Sequence, residues 1–240
     1  MPQDSSPSLP LIITSVAAQK KNSSRCSVFV NGEFAFGCTI DTAVRFGLTK
    51  GKTVSVQEIE SLRACEDVIA LKQAALRYAT YKSRTAHEVR QKMLEKDFTA
   101  EEAEYAVQFL EEFGYVNDRQ YARTFIKETL RFKPSGVSRL RRELLKRGIS
   151  KHDADDALAE AFPPDSERET AMEAAHRAAQ KKLRALARKT PEEQQRALVG
   201  YLQRQGFSWE IIRRICEETI GEKAFKEKTL GEEADDDDEA

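Results

Sequence analysis

The chain has 240 residues, 33% of them charged, with 39 Lys and Arg against 40 Asp and Glu. That length can bury the core of one large domain or of several small modules, and no apolar run approaches the ~20 residues of a membrane span, which excludes an integral helical membrane protein. The net charge of -1 hides an asymmetry, because the last ten residues, GEEADDDDEA, carry seven acids and no base and leave the rest net positive by six.

The opening MPQDSSPSLPLII has no positive region followed by a sustained apolar core, so no secretory signal is expected and residues 1–10 read as a disordered N-terminus. Cys26, Cys38, Cys65 and Cys216 are scattered, without a Cys-x-x-Cys pair. They fit neither a disulfide framework nor a zinc site, and point to thiols in a reducing cytoplasm.

Residues 11–62 form a small β-rich module. CSVFVNGEFAFGCTI sets two apolar β-rich runs around Asn31-Gly32, a two-residue hairpin signal because both turn positions need positive φ. Val28 and Val30 alternate with Phe29, and Phe34 and Phe36 with Ala35. LIITSVAAQ supplies a third strand, and DTAVRFGLTKGKTVS a short helix, a glycine stop and a return strand.

From about Asp67 the pattern is helical. The stretches MLEKDFT, LLKRGIS and LQRQGFS, starting at residues 93, 144 and 202, are echoes of one signal. Val89, Leu140 and Leu198 correspond, so the second copy follows the first by 51 residues and the third follows by 58. Gly148 and Gly206 suit a left-handed helix end, which Asp97 tolerates less well. Thr99, Ser150 and Ser208 then cap a new helix, Thr99 with Glu102 as a capping box. A further helix precedes each pair, at roughly 67–81, 118–132 and 166–189. The expected units are 67–116, 117–162 and 165–222, three three-helix repeats that contact mainly their neighbours in an elongated, curved body. A groove-reading helix–turn–helix is the sharper alternative. Residues 223–240 read as a disordered acidic tail, either a solubility tail or an intramolecular competitor for a basic surface.

The middle unit is strongly basic. Between Arg119 and Lys151 there are eleven Lys or Arg residues against Glu128 and Glu143. Arg119, Arg123, Lys127 and Arg131 make a stripe along one helix, with Phe125 and Ile126 on the adjoining apolar arc. Arg139, Arg142 and Lys146 form a second cationic face, with Leu140 and Leu144 turned inward. Unmixed cations on folded helices repel unless they meet an anion, so a binding role is expected, toward phosphates or an acidic protein surface. No enzyme is expected: His87, His152 and His176 each stand alone, His87 and His176 as exposed surface histidines, and no phosphate loop, nucleophile elbow or Cys/His signature occurs. No cofactor or metal is implied.

Leu76-Arg77-Tyr78 leads to Arg84, Glu88 and Leu94; Gly114-Tyr115-Val116-Asn117-Asp118 is followed by Tyr121-Ala122; then come Gly136, Arg139-Leu140, Leu144 and Lys146-Arg147-Gly148-Ile149. Together these resemble the RecX family, bacterial regulators of the RecA recombinase, over residues 12–220. Family members commonly have Asp where Asn117 stands and Gly where Asp97 stands. The resemblance implies a non-enzymatic, monomeric, cytoplasmic modulator that binds RecA, lodges in the groove of its DNA filament and suppresses recombinase, ATPase and coprotease activity. By position, the filament contacts expected are Arg123, Lys127, Arg131, Lys133, Arg139, Arg142, Lys146 and Arg147. Arg84 joins them from the family motif, with a structural ion pair as its other role. The alternative is a nucleic-acid-binding helical-repeat protein that covers DNA without touching RecA.

Overall fold

A computed structural model of the chain describes residues 10–20, 22–163 and 165–221. The acidic tail, and all of the expected disordered N-terminus but Pro10, lie outside the described residues.

Strands β1 (Leu11–Gln19), β2 (Asn22–Val30) and β3 (Glu33–Thr39) are followed by helix α1 (Ile40–Arg45) and the short β4 (Thr53–Val54). All pairings are antiparallel, in the order β3-β2-β1-β4. The hairpin turn forms at Asn31 and Gly32, with φ of 52° and 89°, the positive values that a two-residue turn requires. Asn31 Oδ1 accepts the N–H of Ile12 at 2.9 Å, which ties the turn to the neighbouring strand.

Ile13, Val28, Val30, Phe36 and Cys38 fill one core. Phe34 does not share that face with Phe36, as strict alternation suggests. The β2–β3 register shifts between Val28 and Phe29, so Phe29 pairs with Phe34, and the two rings meet edge-on at 5.9 Å outside the core.

Helix α2 (Val56–Tyr81) starts at a capping box, Ser55 with Glu58. It begins well before Asp67, so the expected break at 62–67 falls inside one continuous helix. Its first half carries Leu62 into the sheet core and its second half carries Leu71, Ala74, Ala75 and Ala79 into the next one. Glu66, buried in between, accepts the Thr39 N–H at 3.0 Å and pairs with Arg25 at 3.1 Å. A buried carboxylate is tolerated only with such partners, so the sheet is locked to the helix that opens the first unit.

Three three-helix units follow. The second half of α2, α3 (Ala86–Leu94) and α4 (Ala100–Glu112) make the first. Helices α5 (Asp118–Phe132), α6 (Val137–Lys146) and α7 (Lys151–Ala161) make the second, and α8 (Glu167–Ala185), α9 (Pro191–Arg204) and α10 (Trp209–Ile220) the third. Each unit has its own buried cluster. The capping box Thr99–Glu102 forms, Ser150 accepts the N–H of Asp153, and Ser208 makes no side-chain cap bond. Further boxes form at Thr85–Glu88 and Thr190–Glu193. The three echoed turns share one backbone path, with φ of 66° at Asp97, 78° at Gly148 and 82° at Gly206. The next N–H, of Phe98, Ile149 and Phe207, reaches back to the carbonyl of Met93, Leu144 and Leu202. This pattern satisfies carbonyls that the helix end would otherwise orphan.

Candidate functional site

The units join through the same two places each time. Thr85 Oγ donates to the Arg147 carbonyl at 2.8 Å, and at the equivalent positions of the next pair the Gly136 N–H donates to the Gln205 carbonyl at 2.9 Å. The turn of each later unit thus leans on the start of the second helix of the unit before it. A Cβ at Gly148 would overlap His87, one at Gly206 would overlap the Arg139 backbone, and one at Gly136 would overlap the Gly206 carbonyl. His87 is accordingly packed at a junction and is not the free surface histidine expected. At the first junction Asp118 Oδ1 also accepts the Ala86 N–H at 2.9 Å. Burial holds its carboxyl above the usual range, against the opposing pull of that hydrogen bond.

Several of the expected contact residues take part in this framework. Arg147 donates to the Glu143 carboxylate at 2.9 Å and lies over the Phe125 ring at 4.5 Å. The hydrogen bond from Arg147 holds the Glu143 carboxyl below its usual range. Arg139 donates to the Gln205 side chain across the second junction. Arg84 lies over the Tyr78 ring at 4.0 Å, with its Nε buried and without a hydrogen-bond partner. Such a stacked guanidinium contributes packing as well as charge.

The remaining cations sort into paired and open ones. Helix α7 presents Asp155, Asp156 and Glu160 to the basic helices, pairing Arg141, Arg119 and Arg123 at 2.7, 2.6 and 2.7 Å. The basic run is therefore less unmixed than a count over 119–151 suggests, because its counter-charges come from a helix farther along the chain. The signal was in the segment DADDALAE, whose acids recur at helical spacing. Lys127, Arg131, Lys133, Arg142 and Lys146 are exposed, and none is ion-paired to a carboxylate among the described residues.

Arg123, Lys127 and Arg131 border a groove of about 790 Å³ between α5 and α7, floored by Ile126, Leu130 and Ala157. The opposite side holds Glu160. Arg142 and Lys146 sit on α6, so the open cations occupy two helices of one unit and Lys133 the connection between them. The arrangement can hold an anionic partner by charge and does not assemble a nucleophile with a base. Among the described residues, no three His, Cys, Asp or Glu side chains are grouped to hold a metal ion, and no helix is long and apolar enough to cross a membrane.

The chain matches family models along most of its length. Residues 11–55 match the regulatory protein RecX N-terminal domain. Residues 72–110, 117–158 and 169–216 match the first, second and third three-helix domains of RecX. It is similar to the regulatory protein RecX of Clostridium acetobutylicum, 29% identical over 88% of this chain and 97% of that one. The Bacillus pumilus protein of the same name is 30% identical, over 90% of this chain and 81% of its own length. A crystal structure of regulatory protein RecX shares the fold, with a TM-score of 0.65 at 24% identity, over 88% of this chain and 98% of that one. The crystal structure of RecX from Lactobacillus salivarius covers 64% of this chain and 97% of its own, with a TM-score of 0.55 at 25% identity. A sheet module on a shared helix, followed by three head-to-tail three-helix units that each match their own model, places the chain in the RecX family of regulatory proteins.

Proposed function

We propose that the chain binds the RecA recombinase and its DNA filament as a monomer in the cytoplasm. It lowers recombinase, ATPase and coprotease activity in the control of recombination and DNA repair, and acts by binding without chemistry of its own. The observation that carries this reading is the set of open cations on the second unit, Lys127, Arg131, Lys133, Arg142 and Lys146. Inter-unit hydrogen bonds join each unit to its neighbour, and a linear array of that kind can span successive subunits of a helical filament. Cations left open on one unit favour an anionic surface, speed docking and make it sensitive to salt.

The test is ATP hydrolysis by RecA on single-stranded DNA, with this protein titrated from well below one per RecA monomer. The native chain inhibits at those ratios. A variant carrying Lys127→Glu, Arg131→Glu, Arg142→Glu and Lys146→Glu loses inhibition at unchanged helicity, because these side chains have no carboxylate partner among the described residues. Inhibition equal to that of the parent would remove the basic face from the mechanism. The same cations also favour a second reading, a general nucleic-acid binder that covers DNA. Binding to RecA without DNA separates the two, since the second reading predicts none.

A further inference from the structure

Two aromatic side chains stand out from the surface where packing gives no reason for it. Tyr81 is 84% exposed and Phe132 69% exposed, the highest values among the exposed aromatic side chains of the described residues. One exposed ring is ordinary. These two, however, hold equivalent positions, each the last residue of the first helix of its unit. Each stands four residues before the junction position, Thr85 or Gly136, and each is followed by an exposed lysine, Lys82 or Lys133. The third unit lacks the feature: its first helix ends at Ala185, and Leu186 after it is buried. The recurrence is thus confined to the basic unit and the one before it.

An open ring beside an ammonium is the pairing that holds unpaired bases, one group giving a stacking face and the other meeting the phosphate. The setting is cationic at both places. The Arg131 guanidinium lies 5.1 Å from the Phe132 ring centre, and neither lysine is ion-paired to a carboxylate among the described residues. Protein hot spots also use aromatic residues, but they are seated in well-packed, desolvated pockets, whereas these rings project from helix ends.

We propose that Tyr81 and Phe132 are base-stacking platforms for single-stranded nucleic acid, with Lys82, Lys133 and Arg131 receiving its phosphates. Duplex DNA, whose bases are already stacked on one another, does not use them. The proposal shares Arg131 and Lys133 with the function proposed above. Its readout contains no RecA, so the two fail separately.

The experiment is fluorescence anisotropy of a labelled oligothymidylate with the full chain, at two salt concentrations and without RecA. Tyr81→Ala and Phe132→Ala each weaken binding about tenfold, Tyr81→Phe retains it, and the salt dependence stays that of the parent because no phosphate contact is lost. Both rings are exposed, so helicity and thermal midpoint are unchanged in all variants. Alanine variants that bind like the parent overturn the proposal, as does a native chain that does not bind the oligothymidylate.

Discussion

The turn at Asp97 and the turns at Gly148 and Gly206 share one backbone path and differ in what leans on them. All three take positive φ, and all three send the next N–H back to the preceding helix. Asp97 is exposed, with no earlier three-helix unit for it to lean on. Gly148 and Gly206 press against His87 and Arg139 of the preceding unit so closely that a Cβ would overlap them. Glycine at a helix end therefore has two separable causes here. One is the left-handed conformation, which aspartate tolerates at modest cost. The other is close approach between units, which no side chain satisfies. Glycine can be dispensed with where only the first cause acts.

The largest effect follows where both causes meet. Gly206→Ala combines a left-handed alanine with overlap against the Arg139 backbone, and is expected to cost about 3 kcal/mol of stability in urea unfolding. A cost of about 1 kcal/mol would mean that backbone conformation alone is at stake and that the units do not meet as closely as described. Gly136→Ala isolates the contact. Its φ is -79°, ordinary for any residue, yet its Cβ would strike the Gly206 carbonyl. The expected cost is about 2 kcal/mol, again by urea unfolding. An alanine tolerated at no cost would show that the second junction has room to open.

The contrast also explains how much was legible beforehand. Helix ends are written locally, in an apolar residue, a turn residue and a Ser or Thr cap, so the threefold repeat was readable from three short stretches. The same local grammar made the hairpin at Asn31-Gly32 readable. What could not be read is set by partners distant in the chain. Arg119 meets Asp156 and Arg123 meets Glu160, so a stripe that looks unpaired within its own helix is half neutralised by α7. Arg139 and Arg147 read as outward cations, but the first crosses to Gln205 and the second covers Phe125. Phe34 was misplaced because a register shift at Val28–Phe29 leaves no trace in alternation. The end of the sheet module was expected at residue 62, yet α2 runs through that boundary and Glu66 bonds it to the sheet. Lys127, Arg131, Lys133, Arg142 and Lys146 are exposed and meet no carboxylate among the described residues.

The smallest effect is the most discriminating. Asp97→Gly removes the left-handed strain of a residue with a Cβ, a gain of up to about 1 kcal/mol. It also enlarges the conformational freedom of the unfolded chain, a loss of roughly half that or more. No steric relief is added, because Asp97 is exposed and no preceding unit lies behind it. The net change in urea unfolding is expected to stay within about 0.5 kcal/mol. The forward and reverse exchanges at equivalent turns are then unequal by a factor of several: glycine to alanine at Gly206 is costly, and aspartate to glycine at Asp97 is nearly silent. Were Asp97→Gly to stabilise the chain by as much as Gly206→Ala destabilises it, conformation would account for both turns. The junction contacts would then be a consequence of the glycines and not the reason for them.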